Sequence, residues 1–248
     1  MEYRIGIASY GRADRQLTLE YLRFISFPKD RIIMSVQTEK DYCEYREKGI
    51  DREVGTFIFE RAETAAGNRN TILNHAGTME RVVLIDDDVK YISRLQGDRL
   101  EKVDSLEEFD RMVKKGYFLA KKHRTLGFGI YPVHNAYFMS PGYTPANICD
   151  AGLFAVVNTS MRFDTSLRTK EDYDFCCRAI ERYGAFVRLN GYAVNSPEGH
   201  RGGCEDAWKD RRGAERTARL LVGKYPDILA LNTKRPGEVK MKTGGKRK

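Results

Sequence analysis

The chain has 248 residues, of which 41% are hydrophobic and 31% are charged, and its formal net charge at pH 7 is +8. A chain of this length buries enough surface to fold without disulfides or a structural metal. No apolar run approaches the roughly 20 residues of a membrane-spanning helix, so we expect a soluble, cytoplasmic protein with no membrane partner. The five cysteines have no C-x-x-C spacing, which predicts reduced thiols.

The positive charge is concentrated at the end of the chain. Residues 233–248 contain seven basic residues and one acidic residue, and they carry +6 of the net charge. This segment has almost no apolar residues, so we expect a single domain over residues 1–232 followed by a disordered basic tail. Such tails often contact polyanions such as nucleic acids, and the alternative is a solvated end without a partner.

Strands alternate with helices in the first part of the chain. Apolar runs predict strands at residues 3–10, 31–37, 54–59 and 81–85. Helical spacing predicts helices between them at residues 18–24, 38–48 and 68–76. This alternation is typical of an α/β fold with a mostly parallel sheet.

The later elements are less regular. Helices are predicted at residues 105–122, 169–183 and 205–225, and strands at residues 125–133, 153–158 and 185–194. Asp104 or Ser105 is available to cap the first of these helices. The second begins with a Thr169-x-x-Asp172 pattern that resembles a capping box, and Gly184 is expected to end it.

Three aspartates, Asp86, Asp87 and Asp88, directly follow an apolar strand. The carboxyl ends of strands in open α/β sheets are where ligands bind. In an extended segment the alternation of side chains puts Asp86 and Asp88 on one face and Asp87 on the other. Burying three carboxylates is costly unless a cation compensates them, and oxygen ligands favour Mg²⁺ or Mn²⁺. The alternative is an acidic loop that caps the next helix.

Four motifs occur in an order that resembles a known superfamily. They are Ser9-Tyr10-Gly11-Arg12, Gly67-Asn68-Arg69-Asn70, Leu84-Ile85-Asp86-Asp87-Asp88, and Glu171-Asp172-Tyr173-Asp174-Phe175 with Arg178. Over roughly residues 1 to 200 the chain resembles the GT-A-fold glycosyltransferases. It looks most like the TET-associated glycosyltransferases of phages, which modify hydroxymethylated bases in DNA.

The resemblance implies a GT-A (Rossmann-like) fold with a mixed, mostly parallel sheet flanked by helices. It also implies an enzyme that moves a sugar from a nucleotide-sugar donor, a UDP-sugar by preference, with Mn²⁺ or Mg²⁺. The implied acceptor is 5-hydroxymethylcytosine or another hydroxymethylated base in phage DNA, and the location is then the host cytoplasm.

The resemblance also suggests roles for donor-side residues. Asp86 would contact the nucleotide and the metal, Asp88 the metal, and Arg12 would line the nucleotide pocket. His200 lies in a glycine-rich loop where related enzymes often supply a third metal ligand, although a loop histidine is more often simply exposed. Arg201 could instead grip the leaving phosphate.

Arg69 is a further candidate for phosphate binding. It lies near the predicted start of a helix, where free backbone N–H groups and a guanidinium can both meet a diphosphate. The alternative is a surface arginine at a helix start.

The acids at residues 171–174 are candidates for the acceptor side. Acidic residues are favoured in the first turn of any helix, but three within four residues exceed what a helix start needs. Direct displacement at an anomeric carbon requires a base for the acceptor hydroxyl, and we favour Asp172 for this role, with Asp174 second. A reaction that retains the anomeric configuration needs no such base.

Three other functions are compatible with parts of this pattern. The first is a glycosyltransferase that acts on a glycan or a small molecule. The second is a sugar-phosphate nucleotidyltransferase, although the loop after the first strand contains only one glycine, Gly11. The third is a non-catalytic DNA-binding module on the same fold, against which the intact acidic motifs argue. No motif encodes the donor sugar or the oligomeric state.

Overall fold

The computed structural model describes residues 1–149, 152–196 and 210–242. These residues contain twelve strands and six α-helices. The strands are β1 (Arg4–Ser9), β2 (Ile32–Val36), β3 (Thr56–Phe59), β4 (Arg81–Asp86), β5 (Tyr91–Gln96), β6 (Arg99–Lys102), β7 (Gly127–Tyr131), β8 (Tyr143–Thr144), β9 (Leu153–Val157), β10 (Val187–Asn195), β11 (Leu229–Leu231) and β12 (Val239–Met241). The helices are α1 (Leu17–Phe24), α2 (Glu39–Glu47), α3 (Ala65–His75), α4 (Leu106–Lys122), α5 (Glu171–Tyr183) and α6 (Arg211–Lys224).

Ten of the described strands form one mixed sheet. Its order is β3-β2-β1-β4-β9-β7-β10-β5-β6, with β8 also paired to β10. Strands β1 to β4 are parallel, and β9 runs antiparallel to both β4 and β7. Strands β7 and β10 therefore run in the same direction as β4, which confirms the expected mixed, mostly parallel sheet. The carboxyl ends of β1, β2 and β4 lie together at one end of the sheet, and the acidic motif lies there.

Helices cover both faces of this sheet. Side chains of α1, α2 and α4 form one buried cluster with the sheet, and side chains of α3 and α5 form a second cluster on the opposite face. The middle of a central strand such as β1 is therefore apolar on both faces, from Ile5 to Ala8. At Gly6, a Cβ atom would lie only 2.7 Å from Ile72 and 2.8 Å from Leu84. Glycine at this position lets α3 pack closely on the sheet.

Helix α3 begins three residues earlier than the sequence predicts. Thr64 is its N-cap, and the Thr64 hydroxyl accepts a hydrogen bond from the Gly67 amide at 3.2 Å. The Asn68 amide already donates to the Thr64 carbonyl at 3.1 Å. Arg69 is therefore in the second turn, away from the free amides of the helix start.

The β5–β6 hairpin was not predicted from the sequence. It lies at an edge of the sheet, and its turn contains Gly97 with φ +61°. Charged residues such as Arg94 and Glu101, whose side chains are 3.2 Å apart, interrupt its apolar pattern. The Gly97-Asp98 dipeptide was the available signal for a tight turn.

The C-terminal region corrects one expectation and leaves part of another outside the described residues. Helix α6 is described from Arg211, and the predicted helical residues 205–209 lie outside the described residues. Residues 233–242 are not a disordered tail, because β12 pairs with β11 in an antiparallel hairpin. Val239 is buried in a third apolar cluster with residues of α5 and α6, and this burial offsets the cost of ordering the segment. Residues 243–248 lie outside the described part of the chain.

Two smaller expectations can also be compared with the structure. In the described ranges, no helix is both long and apolar enough to cross a bilayer. The four described cysteines are free thiols, as predicted, namely Cys43, Cys149, Cys176 and Cys177.

Candidate active site

The exposures of the three aspartates at the end of β4 agree with the predicted division, although only Asp86 belongs to the strand and Asp87 and Asp88 lie in a turn. The Asp87 side chain is only 5% exposed, whereas those of Asp86 and Asp88 are 34% and 23% exposed. Asp87 accepts hydrogen bonds from the Ser9 hydroxyl and from the Arg12 guanidinium. Asp87 thus ties the end of β4 to the end of β1, and the other two carboxylates face the open edge of the sheet.

Burial and like charge raise the pKa of two of these acids. Burial raises the pKa of Asp87 to about 6, although Arg12 and Ser9 favour its charged form. Burial and the nearby charge of Asp86 also raise the pKa of Asp88, against the opposing effects of Arg12 and of a hydrogen bond with Ser196. The cluster therefore carries unfavourable negative charge that a cation would relieve.

Arg12 lies within this cluster. Its Nη1 pairs with Asp87 and lies 3.0 Å from Asp88, and its side chain is 11% exposed. Burial disfavours the charged guanidinium, but the charges of Asp87 and Asp88 outweigh this effect and raise the pKa of Arg12. In the structure, Arg12 neutralises part of the acidic cluster.

Arg69 connects the two acidic motifs, which the sequence did not indicate. Its guanidinium donates to Asp86 at 2.6 Å and also pairs with Glu171 at the start of α5. Burial opposes the charged form, but these carboxylates raise the pKa of Arg69 above its ordinary value. The expected position at a helix N-terminus is wrong, because Arg69 is a buried link between acids 85 residues apart in sequence. Sequence separation hid this contact.

The first turn of α5 carries one accessible acid and two buried ones. Glu171 is 5% exposed, and Asp174 is fully buried. Asp172 is partly exposed, and its Oδ1 accepts the Tyr173 amide at 2.8 Å. Among these three acids, Asp172 is the one accessible to an acceptor.

The proposal of Asp174 as a second base does not fit the structure. Its Oδ1 accepts from Lys224 and from the Tyr225 hydroxyl, both at 2.6 Å, and its Oδ2 accepts from Arg178 at 2.7 Å. A carboxylate with these partners and no exposed surface cannot reach an acceptor hydroxyl. Asp174 instead attaches α5 to α6.

The start of α5 also differs from the expected capping box. The N-cap is Lys170, which has a left-handed φ of 63° and makes no side-chain capping hydrogen bond. The helix ends at Gly184 with φ 79°, as predicted. Thr169 is buried and does not cap the helix.

The donor set at this edge suits a hard divalent cation. Asp86 and Asp88 offer carboxylate oxygens that are partly exposed, and oxygen ligands are those that Mg²⁺ and Mn²⁺ prefer. Within the described residues, no group of three His, Cys, Asp or Glu side chains is arranged to hold a metal by itself. Two carboxylates fit a cation that completes its shell with water and substrate phosphates. His200 and Arg201 lie outside the described residues.

Comparison with known proteins shows the family to which this chain belongs. The model of the TET-associated glycosyltransferase (TAGT) family matches residues 3–203, which include both acidic motifs. The chain belongs to this family. No curated protein is significantly similar in sequence to this chain.

Two solved structures are similar to this chain. One is the mannosyltransferase PcManGT from Pyrobaculum calidifontis in complex with GDP-Man and Mn²⁺, with 16% identity, a TM-score of 0.58, and coverage of 91% of this chain and 65% of that chain. The other is S. aureus TarS 1-349 in complex with UDP, with 13% identity, a TM-score of 0.49, and coverage of 90% and 66%. The similarity to the mannosyltransferase confirms the predicted GT-A type of fold, and this chain spans slightly less than two thirds of either solved structure.

Proposed function

We propose that the protein transfers a sugar from a nucleoside diphosphate donor to an acceptor hydroxyl, with a divalent cation. The observation that carries this proposal is the bridge made by Arg69. It pairs with Asp86 after β4 and with Glu171 at the start of α5, so that the donor-side and acceptor-side motifs lie side by side. The mannosyltransferase with GDP-Man and Mn²⁺ supports a nucleotide-sugar donor and a divalent cation.

Asp86 and Asp88 would hold the cation, with His200 as the proposed third ligand. Bound Mn²⁺ or Mg²⁺ would neutralise the negative charge of the leaving diphosphate. Asp86 and Arg12 are the proposed nucleotide contacts, and Arg201 is the proposed contact to the leaving phosphate. Asp87 orients Arg12 for this role through its buried pairing.

Asp172 is the proposed base. It would take the proton from the acceptor hydroxyl as that oxygen attacks the anomeric carbon and the bond from this carbon to the diphosphate breaks. Partial exposure supports this assignment over its buried neighbours Glu171 and Asp174. A base in this position implies inversion of the anomeric configuration.

The proposed acceptor is a hydroxymethylated base in DNA, such as 5-hydroxymethylcytosine, as the family resemblance implies. The net charge of +8 favours association with a polyanion. A UDP-sugar is the first donor to test, and GDP-mannose is the second.

A pair of exposed aromatic rings lies in a loop that is connected to the site through two hydrogen bonds, and it supports a nucleobase acceptor. Tyr137 is 86% exposed and Phe138 is 57% exposed, with their ring centroids 5.1 Å apart. Their loop is attached to the sheet by His134, whose Nδ1 lies 3.3 Å from the Asn195 amide. The next residue, Ser196, hydrogen-bonds Asp88. Exposed aromatic rings can stack on a base that has been turned out of a duplex.

The direct test is a transfer assay with hydroxymethylated and unmodified DNA, supplied with UDP- and GDP-sugars in Mn²⁺ or EDTA. We expect sugar to be incorporated only into hydroxymethylated DNA and only with metal. The Tyr137→Ala variant should raise the KM for DNA about tenfold, since stacking is worth about 1–3 kcal/mol per base. Transfer to a glycan instead would remove DNA as the acceptor, and DNA binding without any turnover would favour a non-catalytic module.

The basic end of the chain is tested separately. Deleting residues 233–248 would also remove β12 and its buried Val239, so the informative deletion is 243–248. This deletion removes Lys246, Arg247 and Lys248, and it should reduce the slope of log affinity for DNA against log salt by about 2 to 3. Donor binding should not change. An unchanged slope would indicate a solvated end without a partner.

A further inference from the structure

The first turn of α5 is supported by a part of the chain that lies beyond the family match. That match ends at residue 203, whereas the β11–β12 hairpin, which we call the C-terminal hairpin, spans residues 229–241. Glu238 in this hairpin lies 3.7 Å from the ammonium of Lys170, whose side chain is 1% exposed. Lys170 is the N-cap of α5 and immediately precedes Glu171 and Asp172.

Lys170 is held in a conformation that needs support. A left-handed φ is unfavourable for a residue with a side chain, and a buried ammonium is unfavourable without negative partners. Burial lowers the pKa of Lys170, while the charges of Glu238, Asp172 and Glu171 oppose this shift. Glu238 is the first of these opposing charges, and it is the one supplied from outside α5.

The hairpin itself is fixed against the body of the protein. Val239 and Leu229 pack in the apolar cluster that contains Cys177 of α5 and Leu221 of α6. At the end of α6, Lys224 and Tyr225 hydrogen-bond the buried carboxylate of Asp174. Two contacts therefore hold the first turn of α5. Asp174 is bound by residues at the end of α6, and Lys170, just before the helix, pairs with Glu238 of the C-terminal hairpin.

We infer that the C-terminal hairpin completes the active site, because Glu238 holds Lys170 and Lys170 positions the carboxylate of Asp172. Both are positioning residues and touch no reacting atom. Within the part of the chain that the structure describes, the positive charges that act on Asp172 include Lys170, just before α5, and Arg69 from α3. The catalytic part of this inference rests on the proposed function, but the contact of the C-terminal hairpin with the start of α5 does not.

The stabilisation of the first turn of α5 by the C-terminal hairpin is tested by hydrogen exchange. The Asp174 amide donates to the Lys170 carbonyl at 3.0 Å and so reports directly on the first turn. Glu238→Gln should accelerate exchange of this amide about tenfold while the melting temperature stays within a few degrees. Asp227→Asn is the matched control, because it removes one exposed negative charge just before β11. Equal exchange in Glu238→Gln and the control would overturn the inference.

The catalytic consequence is tested by kinetics. Glu238→Gln should lower kcat about tenfold and leave the donor KM within twofold, and Glu238→Asp should recover most of the loss. Lys170→Met combined with Glu238→Gln should be no worse than Lys170→Met alone, since both changes act through one contact. Faster exchange with wild-type kcat would overturn the positioning role. If the wild-type protein transfers no sugar to any acceptor, the proposed function fails, and the exchange result still decides whether the hairpin grips α5.

Discussion

The two acidic motifs use the same residue types in different local structures. At the end of β4, the chain enters a turn in which Asp87 is buried against Ser9 and Arg12, whereas Asp86 and Asp88 stay partly exposed. At the start of α5, the helical repeat puts Glu171 and Asp174 on one buried side and leaves Asp172 partly exposed. In each motif at least one acid serves the fold and at least one remains accessible for chemistry.

The buried acids are recognisable by their partners. Asp87 pairs with Arg12 and Ser9, and Asp174 accepts hydrogen bonds from Arg178, Lys224 and Tyr225. The comparison shows that neighbouring acids of one motif can differ in burial and in partners. Each acid must therefore be considered separately before a role is assigned to it. Substitutions in the two motifs should therefore separate effects on activity from effects on stability.

The largest effect on activity is expected from Asp88→Ala. It removes a carboxylate from the proposed cation site, and turnover should fall about 1,000-fold, equivalent to about 4 kcal/mol of transition-state stabilisation. Steady-state assays across a Mn²⁺ titration measure this loss. Asp98→Asn in the exposed β5–β6 turn is the control. A folded Asp88→Ala protein with full turnover in EDTA would remove Asp88 from the site.

Asp172→Asn should have the next largest effect. The amide is nearly isosteric but cannot take the acceptor proton, so kcat should fall about 100-fold while the donor KM stays nearly constant. Separate determination of kcat and both KM values checks this expectation. An unchanged kcat would leave Asp172 with structural contacts only, such as its hydrogen bond to the Tyr173 amide, and would contradict its assignment as the base.

Asp174→Asn should act on stability instead. Removing a fully buried charge that faces Lys224 and Arg178 should lower the free energy of unfolding by about 3 kcal/mol. Urea denaturation measures this change, and Asp164→Asn, whose pair with Lys224 is longer and partly exposed, should cost below about 1 kcal/mol. A loss of kcat in folded Asp174→Asn as large as that of Asp172→Asn would contradict the structural assignment.

The smallest effect is expected from Glu171→Gln. The amide oxygen can still accept from Arg69, which also keeps its pair with Asp86, so the free energy of unfolding should fall by only about 1 kcal/mol. Denaturation under the same conditions as for Asp174→Asn provides the comparison. If Glu171→Gln lowered the free energy of unfolding as much as Asp174→Asn, the buried charge of Arg69 would be compensated mainly by Glu171.

Local patterns predicted most of the N-terminal half of the fold. Apolar runs such as β1 and β4 are buried on both faces, and the caps Ser105 and Gly184 lie where local chemistry requires them. Edge elements were harder to predict, because the β5–β6 hairpin and β12 carry charged residues on solvent-exposed positions. Their stability comes from contacts that are distant in sequence.

The candidate site was predicted in part. The division of Asp86, Asp87 and Asp88 into one buried and two partly exposed acids agrees with the prediction, although the turn at Asp87 and Asp88 was not predicted. The burial of Asp174 depends on Lys224 and Tyr225, which are 50 and 51 residues away, so no local pattern could reveal it. The position of Arg69 depended on a helix start that was misplaced by three residues, and helix boundaries are the least certain part of any such prediction.

Because Arg69 pairs with an acid of each motif, the interaction energies of the two motifs are coupled. A guanidinium shared between Asp86 and Glu171 redistributes its interaction whenever either carboxylate changes its partner or its charge. Free-energy changes of substitutions in the two motifs should therefore not be additive, with coupling energies of about 0.5–3 kcal/mol as found for residues within one ion-pair network. A change at Asp86 should therefore alter the interactions of Glu171 through a single side chain.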